Sequence, residues 1–223
     1  MVYTGNASLV NIVWWYIPDM DAHSREAPAD LETVRAFVNT LNIATGVEQL
    51  ASPAALAEWL RARELLGGGA QADHQAKADG EPGGDTRADA DALERAVRLR
   101  EALRDMLLTN NDGRPLDPAA PAIVDEVAAR VRFCLRSSAD GTTRLDAESD
   151  DVDGALGRLL VIVYRAMETG TWRRLKACRR DACRWAFYDH SKNGSSHWCS
   201  MDACGSREKA RSYRERHRSG KPA

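Results

Sequence analysis

Long apolar stretches and a recognisable export signal are missing from this chain of 223 residues. An apolar segment at residues 9–17 (LVNIVWWYI) is too short to span a bilayer, and Pro18 follows it directly. No basic segment precedes it and no clear cleavage site of small residues follows it, so it is a poor match to a signal peptide. We therefore expect a cytoplasmic protein without a membrane segment, whose cysteine thiols stay reduced.

The motifs of common catalytic sites are also missing. The sequence contains no paired carboxylate constellation, no nucleophile elbow and no phosphate-binding loop. A Cys-x-x-Cys pair beside a βαβ unit, which would favour thiol redox chemistry, is absent as well. These absences predict that the protein is not an enzyme.

Cysteine is scarce except near the C-terminus, where four of the five cysteines fall within 27 residues. Cys178 and Cys183 form one pair, Cys199 and Cys204 form another, and four residues separate the members of each pair. Two such pairs can bring four thiolates to one tetrahedral ion, and their spacing is at the wide end of that in structural zinc sites. The sequence therefore predicts one structural Zn²⁺ ion. A set of four thiolates leaves no open position for catalysis.

Two histidines lie between the cysteine pairs and could also be considered as ligands. His190 and His197 are unnecessary for that purpose because the thiolate set is complete. We interpret both as polar surface residues or as residues that support the ligands.

Charge is unevenly distributed, although the net charge of the whole chain is only −2. Residues 171–223 contain 14 Lys or Arg against 5 Asp or Glu, whereas residues 1–170 contain 17 against 28. An acidic body with a basic end is typical of a protein whose one part contacts a polyanion. The alternative is that the basic end merely neutralises the acidic body.

Helical periodicity dominates residues 30–170, where we expect a helix-rich N-terminal domain. The predicted helices begin at Asp30, run from Ser52-Pro53 to the glycines at 67–69, cover 88–108, begin at Pro118 or Pro121, and cover 152–167. Two strands, 130–136 and 142–147, flank the hairpin signal Asp140-Gly141.

Two segments lack such patterns. Residues 1–29 are interpreted as an N-terminal tail of uncertain role. Residues 67–85 consist largely of Gly, Ala, Asp and Gln, and they are predicted to form a disordered insertion because they have almost no large apolar side chain to bury.

Residues 171–223 are predicted to form a small module that needs its metal in order to fold. Aromatic residues on both sides of Asn193-Gly194 predict a hairpin between the cysteine pairs. A helix is expected from about Met201, with Ser200 as its N-cap, to about His217. The predicted fold class is mainly α with a small β-hairpin (α+β): a helical domain followed by a small, treble-clef-like zinc finger.

The last predicted helix carries a stripe of arginines. Arg207, Arg211, Arg214 and Arg218 recur at spacings of four, three and four, with Lys209 and Arg216 beside them. Guanidinium groups suit bidentate contact with phosphate, which favours nucleic acid as the partner. The alternative is a solvated terminal helix whose charges only offset the dianionic tetrathiolate.

The segment around the cysteines resembles the bacterial CGNR zinc-finger family. The matching features are the four cysteines, the Trp185/Phe187/Asp189 pattern, Trp198-Cys199, Met201 and the Cys-Gly-x-Arg tetrapeptide at 204–207. Ser206 stands where the family's naming tetrapeptide has Asn, and His197 stands where the family often has Arg.

Phe37-Val38-Asn39-Thr40 resembles the start of the helix-rich ABATE domain, which accompanies this finger. The two resemblances imply a stress-responsive transcriptional regulator. We accordingly expect contact with double-stranded DNA through Arg207, Lys209, Arg211, Arg214 and Arg218, and association through the helical domain with a second copy or another protein. The alternative is a zinc-stabilised protein-interaction module that does not bind nucleic acid.

Overall fold

The computed structural model describes residues 26–67 and 88–218. The tail predicted at 1–29 and the insertion predicted at 67–85 lie almost entirely outside these ranges, and both stay predictions. Within the two described ranges, no helix combines the length and hydrophobicity that crossing a membrane requires.

The first described range contains two short helices and a minimal sheet. Helix α1 spans Leu31–Val38, strand β1 (Leu41–Asn42) pairs antiparallel with β2 (Val47–Glu48), and α2 spans Pro53–Arg61. Ser52 caps α2 as predicted, because its side chain accepts a hydrogen bond of 3.1 Å from the backbone N–H of Ala55.

The predicted end of α2 at the glycines is wrong. The helix ends at Arg61, and the chain then turns so that the N–H of Leu65 donates to the carbonyl of Leu60. Leu65 and Leu66 are both buried. The helix ends early because these two leucines turn back into the core, which a straight continuation would not allow.

The second range begins with the longest helix, α3 (Ala90–Asp112), followed by α4 (Ala119–Ala129) after Pro118. Strands β3 (Phe133–Ser137) and β4 (Thr143–Ala147) then form the predicted antiparallel hairpin. Helix α5 (Val152–Glu168) follows, and Gly170, with a φ of 75°, turns the chain away from it.

Helix α3 is longer than predicted. The sequence predicts an end before Asn110-Asn111-Asp112-Gly113, but the helix continues through Asp112 and only Gly113, with a φ of 68°, ends it. Asparagine favours turns when its side chain bonds to its own local backbone. Here the side chains of Asn110 and Asn111 bond to distant backbone groups, so they do not compete with the helix.

The core lies between α1, α2, α3 and α5. Its largest fully buried side chains include Phe37, Leu56, Leu60, Leu99, Leu103, Leu156 and Leu159. The core extends into the C-terminal segment, because Trp172, Leu175, Ala177, Ala186 and Tyr188 belong to the same apolar cluster. Part of the predicted zinc finger is therefore packed on the helical layer rather than standing apart from it.

The C-terminal segment begins with a 3₁₀ turn at Thr171–Arg174. Strand β5 (Leu175–Ala177) then pairs antiparallel with β6 (Ala186–Tyr188). A π-helical turn (Met201–Gly205) leads directly into α6 (Ser206–Arg218).

The helical segment starts at Met201 as predicted, although its first turn is π-helical and α6 itself begins at Ser206. The side chain of Ser200 accepts a hydrogen bond from the N–H of Ala203 at 3.1 Å, as an N-cap does. Together, the helices, the small antiparallel strand pairs and the C-terminal cysteine cluster confirm the predicted fold class.

The hairpin predicted around Asn193-Gly194 is wrong. Strand β6 pairs with β5, which precedes Cys178, and residues 189–198 form an irregular loop. The strand-forming pattern after Gly194 does not decide the structure, because polar contacts from Lys176 and Asp189 occupy the backbone groups of that loop.

Candidate metal centre

Four cysteines from two parts of the chain converge at the C-terminal end of the molecule. Cys178 follows β5 and Cys183 shortly precedes β6, so the β5–β6 hairpin presents both thiols at its tip. Cys199 follows the irregular loop, and Cys204 lies in the π-helical turn before α6. The metal centre therefore joins the hairpin to the last helix.

The sulfur positions fit a tetrahedral zinc ion. All four Sγ atoms lie within 4.8 Å of one another, and the Cys183–Cys199 and Cys199–Cys204 distances are both 3.7 Å. Zn–S bonds of about 2.3 Å place tetrahedral sulfur ligands about 3.8 Å apart. All four residues are buried. Cys178, Cys183, Cys199 and Cys204 thus form a zinc-binding site, which confirms the predicted cofactor, and its closed thiolate set is of the structural type.

The four thiols strongly perturb one another's ionisation. Hydrogen bonds with neighbouring thiols lower the pKa of Cys178 and Cys204, and such bonds raise the pKa of Cys183 and Cys199. Thiolates this close cannot all be charged without a cation, so protons and zinc compete for the same sulfurs. Metal binding should therefore release protons and weaken in acid.

Aromatic side chains cover the cysteine cluster. Phe187 is buried against it, and the partly buried Trp185 and Trp198 pack around it. Gly205 allows this packing to approach the helix start, because a Cβ there would lie 2.5 Å from Sδ of Met201 and 3.2 Å from Cδ1 of Trp198. The three aromatic side chains and the close approach at Gly205 thus limit the access of water to the thiolates.

A buried ion pair orders the loop that leads to Cys199. Nζ of Lys176 donates to Oδ2 of Asp189 at 2.8 Å, and to the carbonyls of Gly194 at 2.5 Å and Ser196 at 3.2 Å. Asp189 also accepts hydrogen bonds from the backbone N–H groups of Ser191 and Ser196, both at 2.9 Å.

The ionised form of Asp189 is stable despite its burial. Burial raises the pKa of this carboxyl, but the Lys176 ammonium and the hydrogen bonds from Ser191 and Ser196 outweigh that effect and hold the pKa below its ordinary value. Asp189 is therefore buried in its ionised form next to Lys176, and each member of the ion pair depends on the other.

Polar side chains of α3 bind the backbone of the finger. Arg104, which is 2% exposed, donates to the carbonyls of Arg184 at 3.1 Å and Val38 at 2.6 Å. Asn110 donates to the carbonyls of Trp172 at 2.9 Å and Leu175 at 3.0 Å. The Arg184 carbonyl lies in the connection between β5 and β6, and those of Trp172 and Leu175 lie just before and at the start of β5, so α3 binds the hairpin near both of its ends.

Asn111 connects the two cysteine-bearing loops. Its Nδ2 donates to the carbonyl of Ala177 at 2.5 Å, directly before Cys178, and to that of His197 at 3.0 Å, two residues before Cys199. Nδ1 of His197 lies 2.7 Å from Oδ1 of Asn111, which agrees with the interpretation of His197 as a supporting residue.

Asn39, just after α1, pairs with β6 as a neighbouring strand residue would. Its Nδ2 donates to the carbonyl of Ala186 at 2.9 Å, and its Oδ1 accepts from the N–H of Ala186 at 2.7 Å. Both residues are buried. The backbone N–H and carbonyl of Ala186, at the outer edge of β6, thus find their hydrogen-bond partners in a side chain of the helical layer.

Sequence reasoning missed these roles. The pattern Asn110-Asn111-Asp112-Gly113 predicts a turn, and no local motif distinguishes Arg104 or Lys176 from other basic residues. For Asn39 the sequence does offer an indication of importance, because this residue lies in the segment that resembles the ABATE domain.

Helix α6 carries the predicted basic residues into solvent, and none of its residues is buried. Arg207, Arg211, Arg214 and Arg218 share one side of the helix. The prediction that Lys209 and Arg216 lie beside this stripe is wrong. With 3.6 residues per turn, Lys209 lies about 200° around the helix axis from Arg207.

Two of these arginines have partners within α6. Arg211 forms ion pairs with Glu208 and, at 3.9 Å, with Glu215. Arg214 donates to the carbonyl of Ala210 at 3.2 Å. Each contact is exposed and therefore contributes little to stability.

Two family models match the chain. The model of the CGNR zinc finger matches residues 174–217, and the ABATE model, described as "Putative stress-induced transcription regulator", matches residues 31–181. The matches overlap at β5 and Cys178, where the finger joins the core. No curated protein matches the chain significantly. Because the ABATE model covers well over half of the sequence and the finger model contains all four zinc ligands, the chain belongs to the ABATE family and carries a CGNR zinc finger.

Proposed function

We propose that this protein is a DNA-binding transcriptional regulator in which the zinc centre holds α6 against the phosphate backbone. The family description supports a role in the regulation of transcription under stress. The observation that carries the proposal is α6 itself, which has six basic residues against two acidic ones and no buried side chain. Such a regulator works in the bacterial cytoplasm, where cysteine thiols stay reduced.

The positions of the charges around α6 suit the major groove. Arg207, Arg211, Arg214 and Arg218 line one flank, and Lys209 and Arg216 line the other. Between the flanks lie Tyr213 and His217, whose ring centroids are 4.1 Å apart. A helix in the major groove has a phosphate backbone on each side and base edges in front of it, so this distribution supports DNA as the partner.

The side of α6 that faces the rest of the molecule is different. Glu208 and Ser212 are half-buried, and together with Arg211 they border a groove that also contains Asp112 and Arg114 of the helical layer. Glu208 and Glu215 hold Arg211 in the free protein, so Arg211 must exchange carboxylate for phosphate when DNA binds. Phosphate can replace the carboxylates because it accepts the same bidentate pattern.

The salt dependence of duplex binding tests the proposal. Arg211→Ala with Arg214→Ala should reduce the slope of log K against log salt concentration by about 1.8, because each lost phosphate contact removes about 0.9. The control is Arg132→Ala with Arg144→Ala, which removes the same charge from exposed positions around the β3–β4 hairpin. A wild-type slope in the α6 double variant would show that α6 does not contact DNA.

The alternative function is protein interaction without nucleic acid. The pairing of Arg211 with Glu208 and Glu215 favours it, because these contacts satisfy the arginine without any partner. Absence of salt-sensitive DNA binding, together with one stoichiometric protein partner in pull-down, would support this alternative against DNA.

A further inference from the structure

A second concave site lies between α3, α4, the β3–β4 hairpin and α5. Its volume is about 290 Å³, and eleven side chains line it. Leu103 and Met106 come from α3, Val124 from α4, Phe133 and Leu145 from the hairpin, and Leu160 from α5. Neither the metal centre nor the basic helix contributes to it.

The lining of this pocket is almost purely apolar, since its surface exposes hardly any polar atom. The volume would accommodate about ten water molecules at 30 Å³ each, but those waters would find few hydrogen-bond partners. An apolar cavity of about 150 Å³ stays dry and takes up benzene. A pocket about twice as large therefore suits a molecule of two rings or a short acyl chain.

The mouth of the pocket is open and lined by adaptable side chains. Phe133, Tyr164 and Met167 are 36%, 54% and 42% exposed. Large exposed apolar side chains grouped around a concave surface mark a binding site more often than scattered ones do. Methionines at both the floor and the rim, Met106 and Met167, can repack around ligands of different shapes.

We propose that this pocket is a binding site for an uncharged, apolar small molecule of one or two rings. No charged side chain lines the pocket, and its one hydrogen-bonding side chain is the exposed Tyr164, so an ionic ligand is excluded because its desolvation would not be compensated. The concave shape formed by four elements favours a small molecule over a flat protein surface. Leu103 and Met106 belong to the helix whose Arg104 and Asn110 hold the finger, so an occupant contacts the element that positions the metal centre.

Titration of the full-length, zinc-loaded protein with 6-propionyl-2-dimethylaminonaphthalene tests the site, because the emission of this uncharged two-ring probe shifts to shorter wavelength in apolar surroundings. We expect saturable binding of one probe per chain and a rise in melting temperature at saturation. Ala128→Trp places a large side chain from α4 in the pocket and should weaken binding by at least about tenfold. Ala129→Trp makes the same change at the next, exposed position and should bind as the wild type does.

A second filling variant, Val124→Phe, keeps the test valid if Ala128→Trp does not fold, and circular dichroism melts establish which variants fold. Wild-type affinity in folded filling variants would overturn the proposal. So would a homodimer in sedimentation that excludes the probe, because a second copy would then cover the pocket. Probe binding only after deletion of residues 1–25 would also overturn it, since the apolar segment at 9–17 would then be the occupant.

Discussion

The β5–β6 hairpin and helix α6 belong to one zinc finger, yet they are held in opposite ways. Every residue of β5 and β6 is buried. Leu175, Ala177, Ala186 and Tyr188 join the core of the helical layer, whereas Phe187 packs on the cysteine cluster. No residue of α6 is buried. The two parts meet at the metal, where the hairpin supplies Cys178 and Cys183 and the approach to α6 supplies Cys199 and Cys204.

This difference separates the source of stability from the surface available to a partner. The hairpin is stabilised by the helical layer through apolar packing and through side-chain hydrogen bonds to its backbone. Helix α6 has no such packing, so its direction depends on the zinc ion and on the Ser200 cap. The exposed basic surface is therefore the part of the finger that depends most on the metal.

Removal of zinc should have the largest effect. The α6 region should lose its order, whereas the β5–β6 hairpin should keep it. Structural zinc sites contribute about 10–16 kcal/mol in zinc-finger peptides, so chelation or Cys199→Ser should abolish order in residues 199–218. The β5 and β6 strands should keep protection, because the helical layer holds them independently. Amide hydrogen exchange measures both regions, and Cys134→Ser, outside the cluster, is the control. Equal loss of protection in both regions would refute the division.

Breaking the buried ion pair should have the next largest effect. Asp189→Ala leaves the Lys176 ammonium buried without its carboxylate, which should cost about 3–5 kcal/mol in the free energy of unfolding. Adding Lys176→Met should recover part of this loss, because the unpaired charge is then removed. Denaturant unfolding of the zinc-loaded variants measures both values. A double variant no more stable than the single one would show that the charge is not the cause.

The smallest expected changes in stability come from single substitutions, and they should be larger in α3 than in α6. Asn111→Ala leaves the carbonyls of Ala177 and His197 without this donor and should cost about 1–3 kcal/mol. It should also weaken zinc binding about tenfold or more, because the contacts orient residues adjacent to the ligands. Arg214→Ala on α6 should change stability by less than about 0.5 kcal/mol. Denaturant unfolding and chelator competition measure these values, and equal effects of the two substitutions would remove the contrast.

Features that depend on local spacing were predictable from the sequence. The four zinc ligands follow from cysteine spacing, since each pair needs only a short turn to converge on one ion. The β3–β4 hairpin and the Ser200 cap follow from turn and capping residues within a few positions. The DNA contacts of Arg207, Lys209, Arg211, Arg214 and Arg218 stay predictions.

Features that depend on distant partners were not predictable. The sequence places a turn at Asn110-Asn111, whereas in the fold Asn111 bonds to His197, 86 residues away, and α3 continues. The hairpin was predicted around Asn193-Gly194 because that dipeptide is a strong local signal. Pairing of β5 with β6 prevails because it buries all six residues and receives the Asn39 contact.

The sequence by itself determined which atoms bind the metal and which residues begin the helix that carries the basic charge. Both depend on side-chain chemistry repeated at short intervals along the chain. Only the tertiary structure decided that one half of the finger lies in the core of the helical layer and the other half projects into solvent. The physical reason is that buried backbone groups must find hydrogen-bond partners, and here those partners are Asn39, Arg104, Asn110 and Asn111, far away in the chain.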